Sequence, residues 1–180
     1  EKDPIARLLG REGLNRMSSL EPAKPLHRYE YDRAGGLLHL DIKKLGRFRR
    51  PGHRVTGDRQ QSSRGAGWEF VHIAIDDHSR IGFGTIHPDE TGSSVCSALL
   101  QAVRYYRGLG IRFERVLTDN GAGYLSRRFR RLCNRLGLRH LRTRPYTPRT
   151  NGKAERFIQT ALREWAYARA YESSAQRAAH

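Results

Sequence analysis

The spacing of apolar residues changes several times along the chain, and each change marks an element. LLHLDIKKL (37–45) is a short apolar run that reads as a strand. WEFVHIAIDD (68–77) and RIGFGTIHP (80–88) are two more β-rich runs separated by His78 and Ser79 alone, the spacing of a hairpin. Between the first run and the second, 46–67 is a polar, glycine-bearing loop with no apolar period. From 91 the period becomes helical: Val95, Leu99, Ala102, Val103 and Tyr106 fall on one face of a helix that Gly108 and Gly110 end. FERVLTD (113–119) returns to a strand, SRRFRRLCNRLG (126–137) is a helix with Phe129, Leu132, Cys133 and Leu136 inward, and LRHLRT (138–143) is a short strand. A last helix is expected from Asn151 to Tyr171, with Phe157, Ile158, Ala161, Leu162 and Trp165 as its apolar stripe.

The order β-β-β-α-β-α-β-α predicts an α/β domain in which later strands join one edge of an antiparallel meander through parallel crossovers. A chain of 180 residues suits one such domain. Residues 5–14 keep a short helical rhythm, and the prolines, glycines and mixed charge after them read as a linker, so 1–36 is expected to stand outside a domain spanning 37–172. Residues 173–180 lack a core pattern and are expected to be a tail. No apolar run approaches the roughly 18 to 20 residues of a membrane span, and the start lacks the layout of a secretory signal. The expectation is a cytoplasmic protein with no membrane partner. Cys96 and Cys133 have no C-x-x-C spacing and read as buried thiols.

Charge narrows the class of partner. The 34 Lys and Arg against 18 Asp and Glu give a formal net charge of +16, a field that favours a polyanion such as nucleic acid. The excess is local: 127–169 holds thirteen cations and two acids, whereas 71–126 holds five cations and six acids. A near-neutral core with a basic flank is implied.

Three acids do not fit their surroundings. Asp41 lies inside an apolar strand, where a buried carboxylate is costly unless paired or bound to metal, although an edge position would also accommodate it. Asp119 ends a strand before Asn120-Gly121, as a turn former or as a group facing the crevice at the strand ends. Glu155 opens a helix, where the dipole alone favours an acid, yet it borders the apolar stripe while Lys153 and Arg156 fall on another face. Three carboxylates on two strands and a helix could hold Mg²⁺ or Mn²⁺ through oxygen.

The words around these acids resemble a family. Asp119 and Glu155 are separated by 35 residues, and with Asp41 they resemble the DDE triad of retroviral-integrase-like transposases. "LLHLDIKKLG", "AIDDHSR" and "VLTDNG" agree, and "RPYTPRTNGKAERFIQTALREWAY" is similar to the Glu-bearing segment of bacterial insertion-sequence transposases. The resemblance implies an RNase H-like fold, a five-stranded mixed sheet flanked by helices. It also implies two-metal cleavage and strand transfer on DNA, with Asp41, Asp119 and Glu155 as catalytic metal ligands for two Mg²⁺ or Mn²⁺ ions. Arg149, Asn151, Lys153 and Arg156 become expected DNA contacts, and a homodimer or larger synaptic assembly at a bacterial nucleoid the expected state. By the same likeness, residues 5–20 resemble the end of a helix-turn-helix region, and the family continues beyond a position equivalent to His180. A nuclease that only hydrolyses and an inactive DNA-binding module are the competing readings. Arg47, Arg49, Arg50, Arg54, Arg59 and Arg64 of the 46–67 loop are left as either a DNA clamp or a solvated run.

Overall fold

In a computed structural model the described residues are 3–15, 30–60, 65–143 and 152–180. Strands β1 (Leu38–Gly46), β2 (Trp68–Asp76), β3 (Gly82–His87), β4 (Arg115–Thr118) and β5 (Arg139–Arg142) form one sheet in the order β3-β2-β1-β4-β5. β1 to β3 pair antiparallel, and β4 and β5 add in parallel to the free side of β1. This is the meander with parallel crossovers that the apolar spacing predicts.

The period of two along β1 and β2 divides the residues between two cores. Leu38, Leu40 and Ala74 pack with helices α3 (Gly92–Gly108) and α5 (Arg127–Leu136). Leu45, Val71 and Ile73 pack on the other face with α6 (Gly152–Ala161). Since Asp41 pairs with Ile73 and His39 with Ile75, both lie in register on the α6 face. The expected stripe of α3, Val95 to Tyr106, is buried throughout. The Tyr106 hydroxyl lies 3.0 Å from the Ala74 carbonyl and 2.6 Å from that of Ile81, tying α3 to the β2–β3 hairpin. Helix α5 is capped at both ends, by the Ser126 hydroxyl accepting from the Phe129 N–H and by Gly137 in the left-handed region at φ 69°. Cys96 and Cys133 are buried free thiols.

Two short helices, α2 (His53–Thr56) and α4 (Ala122–Leu125), lie in the β1–β2 loop and after Asp119, while α1 (Pro4–Arg11) buries none of its residues. The last helix differs from expectation. It starts within a residue of Asn151 but gives way to a π turn over Leu162–Ala166 and ends at Tyr167, short of Tyr171. The Trp165 indole donates to the Arg177 carbonyl, and the Tyr171 hydroxyl donates to the Trp165 carbonyl. The first of these bonds reaches a further helix, α7 (Ser174–Ala179), in the segment expected to be a tail. Ser174 and Arg177 are buried there, and the Arg177 guanidinium pairs with Glu69 and donates to the Gly46 carbonyl. One arginine and one serine did this without any apolar period to announce it.

Candidate active site

Asp41 and Asp119 meet through strand register. β1 and β4 pair in parallel with His39 opposite Leu117, so the chain just past Thr118 draws level with Asp41. Local bonds then shape the strand end: the Asp119 carboxylate accepts from the Gly121 N–H at 2.9 Å, and the Asn120 amide donates to the Thr143 carbonyl at 3.0 Å. The Thr118 hydroxyl donates to the Asp119 carbonyl and accepts from the His140 ring, both at 2.8 Å. This is an Asx turn braced by β5.

Glu155 comes from the first turn of α6, with its side chain exposed, next to the fully buried Ala154. Phe157 and Ile158 carry the helix across the sheet. Gly82 of β3 makes room for it, since a Cβ there would sit 2.3 Å from the Phe157 ring.

Asp41 senses the other two acids. Burial pushes the Asp41 carboxyl up to about 6, and the charges of Asp119 and Glu155 push it in the same direction against the Ile42 N–H and Lys43. Among the described residues no three His, Cys, Asp or Glu side chains converge closely enough to enclose a metal ion. Asp119 and Glu155 act on Asp41 through their charge, and the three carboxylates do not form a closed coordination shell. The donor chemistry still suits a hard cation: the groups are all oxygen, and the Asp41 carboxyl is raised first by burial and then by the negative charge of Asp119 and Glu155, which a cation would offset. Tyr124, fully buried after Asp119, feels the same charges; burial first, then Asp41 and Asp119, raise its hydroxyl well above the ordinary phenol range. Its position five residues beyond Asp119 was the available signal for it.

Lys153 has a partner within the protein. Expected from the sequence as a DNA contact, its ammonium lies 2.5 Å from the Asp77 carboxylate and 3.1 Å from the Asp77 carbonyl. The same carboxylate holds His39 at 2.8 Å and accepts from the Tyr31 N–H at 2.8 Å. Burial of Asp77 works against its charge, but the bonds from Lys153, Tyr31 and His39 outweigh it and keep the carboxyl below its ordinary value. Lys153 precedes Glu155 by two residues and His39 precedes Asp41 by two. A single buried carboxylate therefore joins the elements that carry two of the three acids. The second Asp of "AIDD" was the legible hint, since the neighbouring Asp76 is spent on backbone, accepting from Ser79 in the hairpin turn and from Gly35 ahead of β1. Arg156 is exposed, as expected, while Arg149 and Asn151 lie outside the described residues.

A five-stranded mixed sheet in this order, with helices on both faces, is an RNase H-like fold. The chain belongs to the integrase core domain family, whose model matches residues 33–148, with a second integrase core domain model matching 136–180. It is 30% identical over 118 residues to the Gag-Pro-Pol polyprotein of Mason-Pfizer monkey virus, a match covering 66% of the chain and 6% of that polyprotein. Its fold is similar to the simian T-cell lymphotropic virus intasome solved with PP2A regulatory subunit B56 gamma (TM-score 0.57, 26% identity, covering 81% of this chain and 46% of that one). It is also similar to the catalytic core domain of BIV integrase (TM-score 0.50, 21% identity, covering 74% of this chain and 70% of that one). These relatives place the chain in the retroviral integrase-like superfamily. The resemblance to bacterial insertion-sequence transposases is a finer reading than the family match.

Proposed function

We propose that this domain is the catalytic core of a DDE transposase, of the bacterial insertion-sequence kind, that cleaves DNA at an element end and transfers the freed strand to target DNA. The observation that carries the reading is the coupling of Asp41, in the middle of β1, to Asp119, just past the end of the adjacent parallel strand β4, and to Glu155 in the first turn of α6, in a chain of the integrase core domain family. Water attacks a phosphodiester, forming one P–O bond as the bond to the 3′ oxygen breaks, and that oxygen takes up a proton. The resulting 3′-hydroxyl repeats the displacement on a target phosphodiester and releases the target's own 3′ oxygen.

Asp41, Asp119 and Glu155 would hold two Mg²⁺ or Mn²⁺ ions. When bound, such ions neutralise the carboxylates and stabilise the attacking and leaving oxygens of an in-line displacement. The residues of the chain do the rest. Asp41 gives up its proton to become a ligand. Lys153, held on Asp77, fixes the first turn of α6 and with it the reach of Glu155. Arg156, exposed beside it, meets a DNA phosphate, and Arg149 and Asn151 are proposed to do the same. Synapsis of two element ends calls for a dimer or larger assembly.

A strand-transfer assay with a pre-cleaved element-end duplex, target DNA and Mn²⁺ tests this. Joined products are expected, and Asp119→Asn should abolish them while still binding DNA. Hydrolysed strands alone would point to a nuclease, and binding without either product to an inactive module.

A further inference from the structure

We propose that the β1–β2 arm is a second contact for duplex DNA, seated beyond the catalytic acids on the same face of the sheet. This deepens the catalytic reading and rests on it only for the identity of the polyanion. Residues 47–60 hold five arginines and one acid, Asp58. Arg47, Arg49, Arg50 and Arg59 are exposed.

Placement sets this run apart from an ordinary solvated one. β4 ends one residue short of the level of Asp41, but β1 continues to Gly46 and leads straight into the arm. Five residues of strand put the root of the arm about 17 Å past Asp41, roughly five base pairs along a duplex. Helix α6 runs beside this stretch, from Glu155 near Asp41 to Ile158, which packs with Leu45 and Val71.

The root is also built to stay in place. The Phe48 N–H donates to the Ser174 hydroxyl at 2.8 Å, and the Ser174 N–H donates to the Phe48 carbonyl at 2.9 Å. Arg177 lies 5.0 Å from the Phe48 ring, donates to the Gly46 carbonyl and pairs with Glu69, whose partner in register, Leu45, shares the face of Asp41. Desolvating a guanidinium and a carboxylate gains little net stability over apolar packing, so what this pair contributes is geometry. It fixes residues 46–48, the point from which the arginines are directed.

The test is fluorescence anisotropy of the full chain in an Asp119→Asn background, across a salt series. It uses a long duplex centred on the scissile phosphate and two shorter ones, each cut to about five base pairs on one side. Combined Arg47→Gln, Arg49→Gln and Arg50→Gln substitutions are expected to flatten the log-log salt dependence on the long duplex by about 2 to 3, at roughly 0.9 per phosphate. On one of the two shortened duplexes, the one lacking the arm's side, they should change nothing. An unchanged slope on the long duplex, or an equal loss on both short ones, would overturn the proposal. Since binding is read without chemistry, a failed strand-transfer assay leaves this result standing, and loss of the arm leaves the catalytic reading standing.

Discussion

Asp41 keeps its proton up to about pH 6 because burial, together with the charges of Asp119 and Glu155, disfavours its carboxylate. In the unfolded chain the same group releases its proton at 3.8. Between those values the folded state holds a proton that the unfolded state has lost, so this group lowers stability as pH rises from about 4 to about 6. Asp41→Asn has no proton to lose. Without divalent cations it should melt a few degrees above the parent at pH 7 and converge with it below pH 4, given about 2–4 °C per kcal/mol for a chain of this length. Buried His72 and half-buried His87, whose ring pKa values are lowered first by desolvation, act in the opposite sense below 6.5 in both proteins. The difference between the two melting curves therefore isolates Asp41, and identical curves would remove it from the charge cluster. Lys153 gives a second test at this scale. With its ammonium on Asp77, Lys153→Met should slow strand transfer by about tenfold or more, as losses of supporting contacts at metal sites do. It should leave the salt slope of DNA binding unchanged, whereas Arg156→Ala should flatten that slope by roughly 0.9. A flattened slope for Lys153→Met would return the lysine to the DNA interface.

Elements were legible where burial follows a period. β1, β2 and α3 alternate or repeat cleanly because each buries one face against many apolar neighbours, and the sequence pattern reproduces their bounds to within a residue or two. Asp41 and Asp119 were legible for a related reason: each is an acid where the period or the strand end asks for something else. The Asp77 partner of Lys153 was not legible because nothing in local spacing tells a surface cation from one that reaches a carboxylate seventy-six positions away in the chain. The α7 segment was missed because its attachment is polar, through Ser174 and Arg177, and polar long-range pairs leave no period. Gly82 shows the same limit, since its reason for being glycine is the Phe157 ring of a distant helix. Gly82→Ala should push that ring aside and cost about 1–3 kcal/mol by overpacking. Chemical denaturation would measure this, and a neutral result would mean that α6 can shift without cost.

On the scale of the whole molecule, the sheet sets Asp41 in mid-β1 level with Asp119 just past β4, and α6 and α7 pack on the face that carries Asp41. The Arg177–Glu69 pair ties the far end of the chain to the β1–β2 hairpin. Arg177→Met alone strands a buried carboxylate and should cost about 3–5 kcal/mol, while adding Glu69→Leu should recover most of that loss. Equal stability of the single and double variants would show that the pair is not buried in solution. The central claim is that Asp41, Asp119 and Glu155 are three ligands of one metal site. Anomalous scattering from crystals grown with Mn²⁺ tests it most directly. The account predicts manganese peaks bounded by the carboxylates of Asp41 and Asp119, with Glu155 drawn in to complete the site, and their disappearance in Asp119→Asn. Peaks that touch none of the three acids, or none at all under conditions that support strand transfer, would contradict it.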